Sequence, residues 1–263
     1  MKNKNYLIIA GILVLIVIAA FILTPRRSTS LETVSLAINP MPHSVLLFIA
    51  QEKGYFAEQG LNVEMHQFAT GKLALDTLLA NGADIATTAD FPLTLAGLSN
   101  QQAYVIATIG YGDDIKVIAR KDKGVNSIQD LKGKKIALKK GGGGDLFLQK
   151  LLASENISSD SVSITNMEPP DMPSVLIRGD IDAFVVWEPF ISKAKKELGE
   201  KAIIFSPKNI YGETWNIAVN RDFEAKNPET IKRFLKALVK ADAFFRDNPA
   251  ESNKIAQKYS GAS

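Results

Sequence analysis

The sequence predicts an α/β protein of two similar lobes, and three observations lead to this prediction. Residues 33–89 follow the order strand, helix, strand, helix, strand, judged from apolar periodicity and from glycine and proline breaks. The same alternation recurs after residue 130. Two extended segments, around residues 103–122 and 212–223, connect the halves, which indicates that the second lobe is inserted into the first. Alternation of this kind is typical of sheets with parallel strands.

The first half is predicted to contain three strands separated by two helices, at residues 33–38, 41–54, 61–68, 71–82 and 83–89. Pro42 suits the first turn of the first helix, and Gly54 and Gly82 are placed to end the two helices. The segment LNVEMHQF alternates polar and apolar residues with period two, which predicts a strand with one exposed face.

The second half repeats this plan, with predicted elements at residues 134–139, 145–155, 161–167, 171–179 and 180–187. Asp171 is the predicted N-cap of its second helix. The stretches LLANGADIATTADFP and LIRGDIDAFVVWEPF share one layout: a glycine ends a helix, an apolar strand follows, and a carboxylate and a proline come near the strand end. The carboxylates are Asp90 and Glu188, so these two stretches are predicted to be counterparts in the two lobes.

The C-terminal part of the chain is predicted to return to the first lobe. Residues 227–245 form an amphipathic helix pattern that Asn227 can cap and in which Pro228 suits the first position. Its apolar face contains Ile231, Phe234, Leu235, Leu238 and Phe245. We therefore assign residues 31–115 and 213–263 to lobe I and residues 116–212 to lobe II, with a cleft between the lobes.

The N-terminal 30 residues are predicted to be a membrane anchor or signal segment followed by a polar linker. Residues 6–23 are uncharged and almost wholly apolar, and at 1.5 Å per residue they reach roughly 27 Å, close to the hydrocarbon thickness of a bilayer. A cleaved signal peptide usually has a shorter apolar core, of about 7–15 residues. We therefore expect a retained transmembrane helix with the folded part outside the cytoplasm, and secretion after signal cleavage is the alternative.

The composition excludes several classes of function. The net charge of +3 includes Lys2, Lys4, Arg26 and Arg27, so residues 28–263 carry 3 − 4 = −1 and offer no basic field for a nucleic acid. The chain has no cysteine, which excludes disulfides, thiolate metal sites and a cysteine nucleophile. Its two histidines share no metal-ligand spacing. We expect no catalytic residue, no metal and no cofactor.

A run of four glycines, Gly141–Gly144, stands directly before a predicted helix. A helix that follows a parallel strand directs its free backbone N–H groups toward the carboxyl end of the sheet, where they attract an anion. Without Cβ atoms, a ligand can lie directly against these N–H groups. The run lacks the ending of a P-loop, and Asp145 disfavours phosphate unless it turns away to cap the helix. A flexible connection without a ligand is the alternative.

Three segments resemble a known family. LLFIAQEKGYFAEQGLNVEM, DLKGKKIALKKGGGGDLFLQKLL and GDIDAFVVWEPF are similar to signatures of the nitrate/sulfonate/taurine-type substrate-binding proteins of ABC transporters, and the likeness covers roughly residues 33–260. The resemblance implies a type II periplasmic-binding-protein fold, with two α/β lobes, two crossover segments and a ligand in the cleft.

The resemblance also implies candidate ligand-binding residues. Carried over by position, they are His43, Ser44, Thr70, Gly71, Thr88, Asp90, Gly142, Gly143, Gly144, Trp187 and Glu188. Asp145, directly after the glycine run, and Trp215, in the return segment, complete the candidate set. Where many sulfonate-binding relatives have small hydroxyl residues in the turn of the second lobe, this chain has only glycine, which keeps the N–H donors but removes side-chain donors.

The predicted function is that of an extracytoplasmic solute-binding component of an ABC importer. It is expected to act as a monomer that closes two lobes on a sulfonate-, taurine- or nitrate-type solute and delivers it to a permease with its ATPase. A zwitterionic aminosulfonate satisfies both the helix N-terminus and the carboxylates. A thiamine pyrimidine precursor or similar heterocycle is an alternative ligand, and a pyrimidine-synthesising enzyme on the same fold or a membrane-tethered sensor are alternative functions.

Overall fold

The structure is a computed structural model that describes residues 30–260 of the chain. The transmembrane helix predicted at residues 6–23 lies outside the described residues. Within residues 30–260, no helix combines the length and apolar character that are needed to cross a membrane.

The first sheet has five strands and is built from two separate parts of the chain. Its strands are β1 (Glu32–Ile38), β2 (Leu61–Gln67), β3 (Ile85–Ala89), β4 (Ala103–Gly112) and β10 (Glu213–Asn220). Their order is β2-β1-β3-β10-β4. β1 is parallel to β2 and to β3, whereas β10 runs antiparallel between β3 and β4. The return segment predicted at residues 212–223 therefore becomes an interior strand of this sheet.

The second sheet repeats this arrangement with the segment between the two crossings. Its strands are β5 (Lys116–Arg120), β6 (Lys135–Leu138), β7 (Ser163–Asn166), β8 (Ala183–Val186) and β9 (Ala202–Phe205). Their order is β7-β6-β8-β5-β9, with β5 antiparallel to both β8 and β9. β3 and β8, which lie within the two counterpart stretches, take the same central position in the two sheets.

The prediction of parallel-type sheets is wrong in one respect, because each sheet is mixed. β4 and β9 run in the parallel direction of their sheets, and each ends where the chain crosses to the other sheet. The strand that follows each crossing starts at the same edge and must run away from it, antiparallel to its neighbours. The antiparallel strands β5 and β10 are thus a direct consequence of two crossings between two sheets.

The helices cover both sheets. They are α1 (Val45–Glu52), α2 (Tyr55–Glu58), α3 (Gly71–Leu79), α4 (Asp90–Leu98), α5 (Gly143–Ser154), α6 (Met172–Arg178), α7 (Phe190–Leu198), α8 (Arg221–Lys226), α9 (Pro228–Asp247) and α10 (Pro249–Ser260). A single-turn 3₁₀ helix, Pro42–Ser44, precedes α1. The predicted first helix begins with this turn, and it ends before Gly54, which has a φ of 71°.

The long helix α9 packs on the first sheet, as its apolar pattern predicts. Ile231, Phe234 and Leu238 are buried in one cluster with residues of β1 and α1. Phe245 is wrongly predicted on this face, since it is 37% exposed, whereas its neighbour Phe244 packs against the cluster. Asn227 occupies the N-cap position, but its side chain accepts no hydrogen bond from the N–H groups of α9, and its Nδ2 donates to the carbonyl of Phe223 (3.2 Å).

The N-cap predicted at Asp171 is only half right. Asp171 stands directly before α6, at the N-cap position of that helix. Its side chain makes no capping hydrogen bond there, and its backbone carbonyl accepts from the hydroxyl of Ser174 (2.8 Å). Met172 and Leu176 of this helix are both fully buried, so apolar packing stabilises α6 although it has no side-chain cap.

Candidate functional site

A cleft of about 510 Å³, counted out to its open mouth, lies where the carboxyl ends of both sheets meet. Parallel strands direct the N-termini of the following helices to this edge, which is the usual ligand position in α/β folds. From the first sheet and its helices the cleft is lined by Asn39, His43, Thr70, Gly71, Lys72, Ala89, Pro92, Glu213 and Trp215. From the second it is lined by Lys139, Gly142, Gly143, Gly144, Pro169, Met172, Val185, Val186 and Trp187.

The glycine run forms the turn between β6 and α5, and three of its positions require glycine for different reasons. Gly141 has a φ of 72°, in the left-handed region that glycine adopts without strain. A Cβ on Gly143 would overlap the carboxyl group of Glu213 and lie 3.0 Å from Ile115 Cδ1. A Cβ on Gly144 would lie 3.0 Å from the carbonyl oxygen of Val185 in β8. The turn therefore approaches both Glu213 and β8 closely.

Asp145 stabilises this turn from within. Its Oδ2 accepts a hydrogen bond from the backbone N–H of Gly141 (2.9 Å), and its Oδ1 accepts one from Gln149 Nε2 (2.9 Å). Asp145 is absent from the lining of the cleft. The carboxylate thus turns away from the space in front of α5, and a ligand anion there would not face it directly.

Glu213 reaches the glycine turn from the first residue of β10. Its Oε2 is buried and has no hydrogen-bond partner within residues 30–260. Burial, together with the nearby carboxyl groups of Asp114 and Asp90, raises the pKa of Glu213 to about 8. At neutral pH this side chain is therefore mostly protonated, and it can both donate and accept a hydrogen bond.

Trp215 forms a fixed wall of the cleft. Its Nε1 donates to Ser44 Oγ (3.1 Å), and Ser44 Oγ in turn donates to the backbone carbonyl of Asn39 (3.0 Å). The indole packs so closely on α3 that a Cβ on Gly71 would lie 2.6 Å from Trp215 Cη2. The ring of His43 lies 4.3 Å from that of Trp215, and burial lowers the pKa of His43 to about 4. The imidazole is therefore neutral at physiological pH.

Trp187 lies at the end of β8, opposite this wall. Its Nε1 is buried and lacks a hydrogen-bond partner in the described part of the chain. Buried polar groups without a partner are uncommon, because each one loses its hydrogen bonds to water. An indole N–H in this position is a donor available to a ligand in the cleft.

Most of the candidate residues predicted from the sequence lie together in this cleft. Those that line it are His43, Thr70, Gly71, Gly142, Gly143, Gly144, Trp187 and Trp215. Thr70 also caps α3, since its Oγ1 accepts from the backbone N–H of Leu73 (3.2 Å).

The other candidates lie behind or beside the cleft lining: Ser44, Thr88, Asp90, Asp145 and Glu188. Thr88 is fully buried behind Gly71. Asp90 accepts a hydrogen bond from the hydroxyl of Tyr211, which follows β9 in the second crossing. Glu188 accepts from Lys116 Nζ (3.0 Å) and from the backbone N–H of Ser192 (3.0 Å). The structure thus gives Ser44, Asp90, Asp145 and Glu188 partners within the protein, and their direct contact with a ligand stays a prediction.

Four polar side chains of the lining were missed in the sequence: Asn39, Lys72, Lys139 and Glu213. Asn39 directly follows a predicted strand and Lys139 is the last residue of another, which is a signal that could have identified them. Lys72 pairs with Asp76 (2.6 Å) and Lys139 pairs with Glu168, so both ammonium groups already have a partner. No group of His, Cys, Asp or Glu side chains that could hold a metal ion occurs within residues 30–260.

A family described as NMT1/THI5 like matches residues 41–252. Among curated proteins, one of Brucella abortus (strain 2308), provisionally named a binding protein, is 29% identical over 217 residues, which are 80% of this chain and 66% of that protein. The taurine-binding periplasmic protein of Escherichia coli (strain K12) is 26% identical over 208 residues, 76% of this chain and 63% of that protein. The chain thus spans less than two thirds of the length of these relatives.

Two solved structures of bacterial binding proteins have a similar fold. The alkanesulfonate-binding protein of Xanthomonas axonopodis pv. citri bound to MOPS aligns with a TM-score of 0.74 at 18% identity, covering 88% of this chain and 80% of that chain. The periplasmic nitrate-binding protein of Synechocystis PCC 6803 aligns with a TM-score of 0.71 at 19% identity, and the alignment covers 89% of this chain and 68% of that chain. These likenesses establish the periplasmic-binding-protein fold with its two sheets.

The contact between Gly143 and Glu213 makes a prediction about stability. Gly143→Ala must displace the Glu213 carboxyl group, so we expect a loss of about 1–3 kcal/mol in the free energy of unfolding. Gly97→Ala, in α4, is the matched control, because a Cβ there meets no atom within 4 Å. It should stabilise the protein by up to about 1 kcal/mol, the usual helix preference for alanine. Denaturant unfolding of both variants tests this, and equal effects would contradict the contact.

The raised pKa of Glu213 predicts how stability depends on pH. An unfolded glutamate ionises near pH 4.5, whereas Glu213 in the folded protein does so near 8. Between these values the unfolded state binds fewer protons, so the free energy of unfolding falls as the pH rises. Glu213→Gln removes this dependence. Between pH 5 and pH 8.5 the free energy of unfolding of the wild type, measured in urea, should fall by at least about 1 kcal/mol more than that of Glu213→Gln. Parallel pH profiles of the two proteins would show that Glu213 ionises normally.

Proposed function

Because the chain belongs to the NMT1/THI5-like family, we propose that it is the solute-binding component of an ABC-type importer. In this role it binds a small sulfonate-, taurine- or nitrate-type solute outside the cytoplasm and delivers it to a membrane permease that a partner ATPase drives. The names of its relatives support this class of solute, since they include a taurine-binding and an alkanesulfonate-binding protein.

The observation that supports this function best is the composition of the cleft wall. Both sheets contribute to one cleft, and three residues of its lining have a buried polar atom without a partner within residues 30–260: Asn39 Oδ1, Trp187 Nε1 and Glu213 Oε2. Such atoms cost free energy in the folded protein unless a ligand pairs with them. Because these atoms lower the stability of the empty protein, their presence in the cleft lining is better explained by ligand binding than by a structural role.

The chemistry of the cleft suits a small anion with an organic part. The N-terminus of α5 carries a partial positive charge and presents backbone N–H groups without Cβ atoms in front of them. Trp187 and Trp215 supply apolar faces for the organic part. Micromolar affinity needs about −8 kcal/mol in total, which a few charge-assisted hydrogen bonds of roughly 1.5–3 kcal/mol each can provide.

Contacts across the cleft support hinge closure as the mechanism. A Cβ on Gly141, in the turn of the second sheet, would lie 3.4 Å from both Lys72 Cε and Leu95 Cδ1, which belong to helices of the first sheet. A ligand held by both walls stabilises this closed arrangement by the contacts it makes with the two walls at once. The crossings at residues 113–115 and 206–212 are the proposed hinges between lobe I (31–115 and 213–263) and lobe II (116–212).

A heterocycle such as a thiamine pyrimidine precursor is the second candidate ligand. Two tryptophans and the neutral ring of His43 line the cleft, and aromatic walls are typical of sites that stack a flat ring.

The proposed location is outside the cytoplasm, supported by relatives that are named periplasmic. Anchoring through residues 6–23 is part of this proposal, with secretion after signal cleavage as its alternative.

Trp187 provides the test of the proposed function. In isothermal titration with taurine, ethanesulfonate and nitrate, Trp187→Ala should weaken binding of the preferred solute at least tenfold, because the stacking face and the N–H donor are both lost. Trp187→Phe is the matched variant: it keeps an aromatic face and loses only the donor, so its loss should be smaller.

Circular dichroism and thermal unfolding serve as the control that both Trp187 variants stay folded. Affinity equal to that of the wild type in a folded Trp187→Ala variant would remove Trp187 from the site. If none of the three anions binds to the wild type while an aminopyrimidine does, the heterocycle takes the place of the sulfonate-type solute.

A further inference from the structure

The two crossings between the sheets run side by side next to the glycine turn. Glu213, the first residue of β10, pairs with Gly112, the last residue of β4. A Cβ on Gly212 would overlap the hydroxyl group of Tyr111. The carboxyl group of Glu213 lies over Gly143, at the start of α5, where it would overlap a Cβ. Glu213 therefore connects the region of the crossings with the wall that the second sheet contributes to the cleft.

A second contact between the halves begins two residues earlier, at Tyr211. Its side chain is 8% exposed and packs in the apolar cluster of the second sheet together with Phe147 of α5. Its hydroxyl group donates a hydrogen bond to Asp90 Oδ1 at the start of α4, a helix of the first sheet. The segment that ends in Glu213 is thus attached to both halves.

The surroundings of the Glu213 carboxyl group are acidic. The charged groups that act on it are the carboxyl groups of Asp114, in the first crossing, and of Asp90. Its Oε2 is buried and has no hydrogen-bond partner within residues 30–260. Ionisation would place negative charge on an atom that contacts neither water nor a donor, so the contact with Gly143 favours the protonated form. Three lysines around the cleft pair with other carboxylates: Lys72 with Asp76, Lys139 with Glu168 and Lys116 with Glu188.

Two acids beside the crossings hold their protons more tightly than usual. Burial and the nearby carboxyl groups raise the pKa of Glu213 to about 8, and burial also raises the pKa of Asp114. In an open arrangement Glu213 is free of Gly143 and ionises nearer its ordinary value of 4.5. Between these pH values the closed arrangement binds more protons than the open one, so closure weakens as the pH rises toward 8. The other titratable groups that act on Glu213 or line the cleft are Asp90, Tyr211, His43, Lys72 and Lys139.

We propose that the Glu213 carboxyl group is a proton-controlled latch between the two lobes. In its protonated form it packs over the glycine turn and holds the cleft closed, and in its ionised form it leaves this contact and the cleft opens. This inference rests on the hinge closure in the proposed function, and it is independent of which solute the cleft binds.

The test measures the distance between the lobes in the full chain without added solute. The chain has no cysteine of its own, so Ser99→Cys, directly after α4, and Ala153→Cys, on α5, provide two exposed and unique positions for spin labels. Pulsed electron paramagnetic resonance between pH 6.5 and pH 9 gives the ratio of closed to open molecules. Circular dichroism over the same range is the control that the longer distance reports opening and not unfolding.

The ratio of closed to open molecules should fall at least tenfold in the wild type from pH 6.5 to pH 9, since one linked proton changes it by up to tenfold per pH unit. Over this range His43, whose pKa burial lowers to about 4, stays neutral, and Tyr211, whose pKa burial raises, stays protonated. Glu213→Gln keeps the shape of the neutral acid, so its ratio should change less than threefold. Glu197→Gln, at an exposed acid on α7, is the matched control and should respond like the wild type.

The outcomes separate the latch from the proposed function. A wild-type ratio that is the same at pH 6.5 and pH 9, or a Glu213→Gln variant with the full response of the wild type, overturns the latch. The proposed function is tested in the same samples with saturating taurine, ethanesulfonate or nitrate at pH 6.5. Closure by one of these solutes without any effect of pH overturns the latch alone. An effect of pH without closure by any of the three supports the latch and overturns the proposed solute class.

Discussion

The structure depends on one close approach, that of Glu213 to the glycine turn before α5. The residue begins the strand that returns to the first sheet, while the turn belongs to the second sheet. A side chain at Gly143 would occupy the space of the Glu213 carboxyl group. This contact joins the two walls of the cleft, and it brings a partly buried acid to the start of a helix in the other half.

The mixed sheets follow from the same constraint. Because every parallel strand ends at the cleft, a chain that crosses between the sheets must enter the next sheet at the cleft and run away from it. The antiparallel strands β5 and β10 are these entries. As a result, the first residues of β10, Glu213 and Trp215, line the cleft although they belong to a strand and not to a loop. The crossings thus supply both the proposed hinges and part of the binding surface.

Sequence patterns predicted two α/β halves joined by two extended segments, because glycine breaks and apolar periodicity report local structure. The candidate site residues came mainly from the family resemblance, and His43, Gly142, Gly143, Gly144 and both tryptophans are among those that line the cleft. Asp90 and Glu188 have partners inside the protein, since a carboxylate at a strand end is as suitable for a local hydrogen bond as for a ligand. Glu213 could not be found this way, because its place opposite Gly143 depends on the register of a strand paired across more than a hundred residues of chain.

The central claim is that a solute is held between the glycine turn and the wall formed by the first sheet. Hydrogen exchange with and without saturating taurine tests it most directly, because a ligand that binds both walls slows local opening of both. We predict slower exchange of the amides at the start of α5, residues 143–147, and at the start of α3, residues 71–75, with α10 unchanged. Slower exchange at only one of these two helix starts, or at neither, would contradict the account.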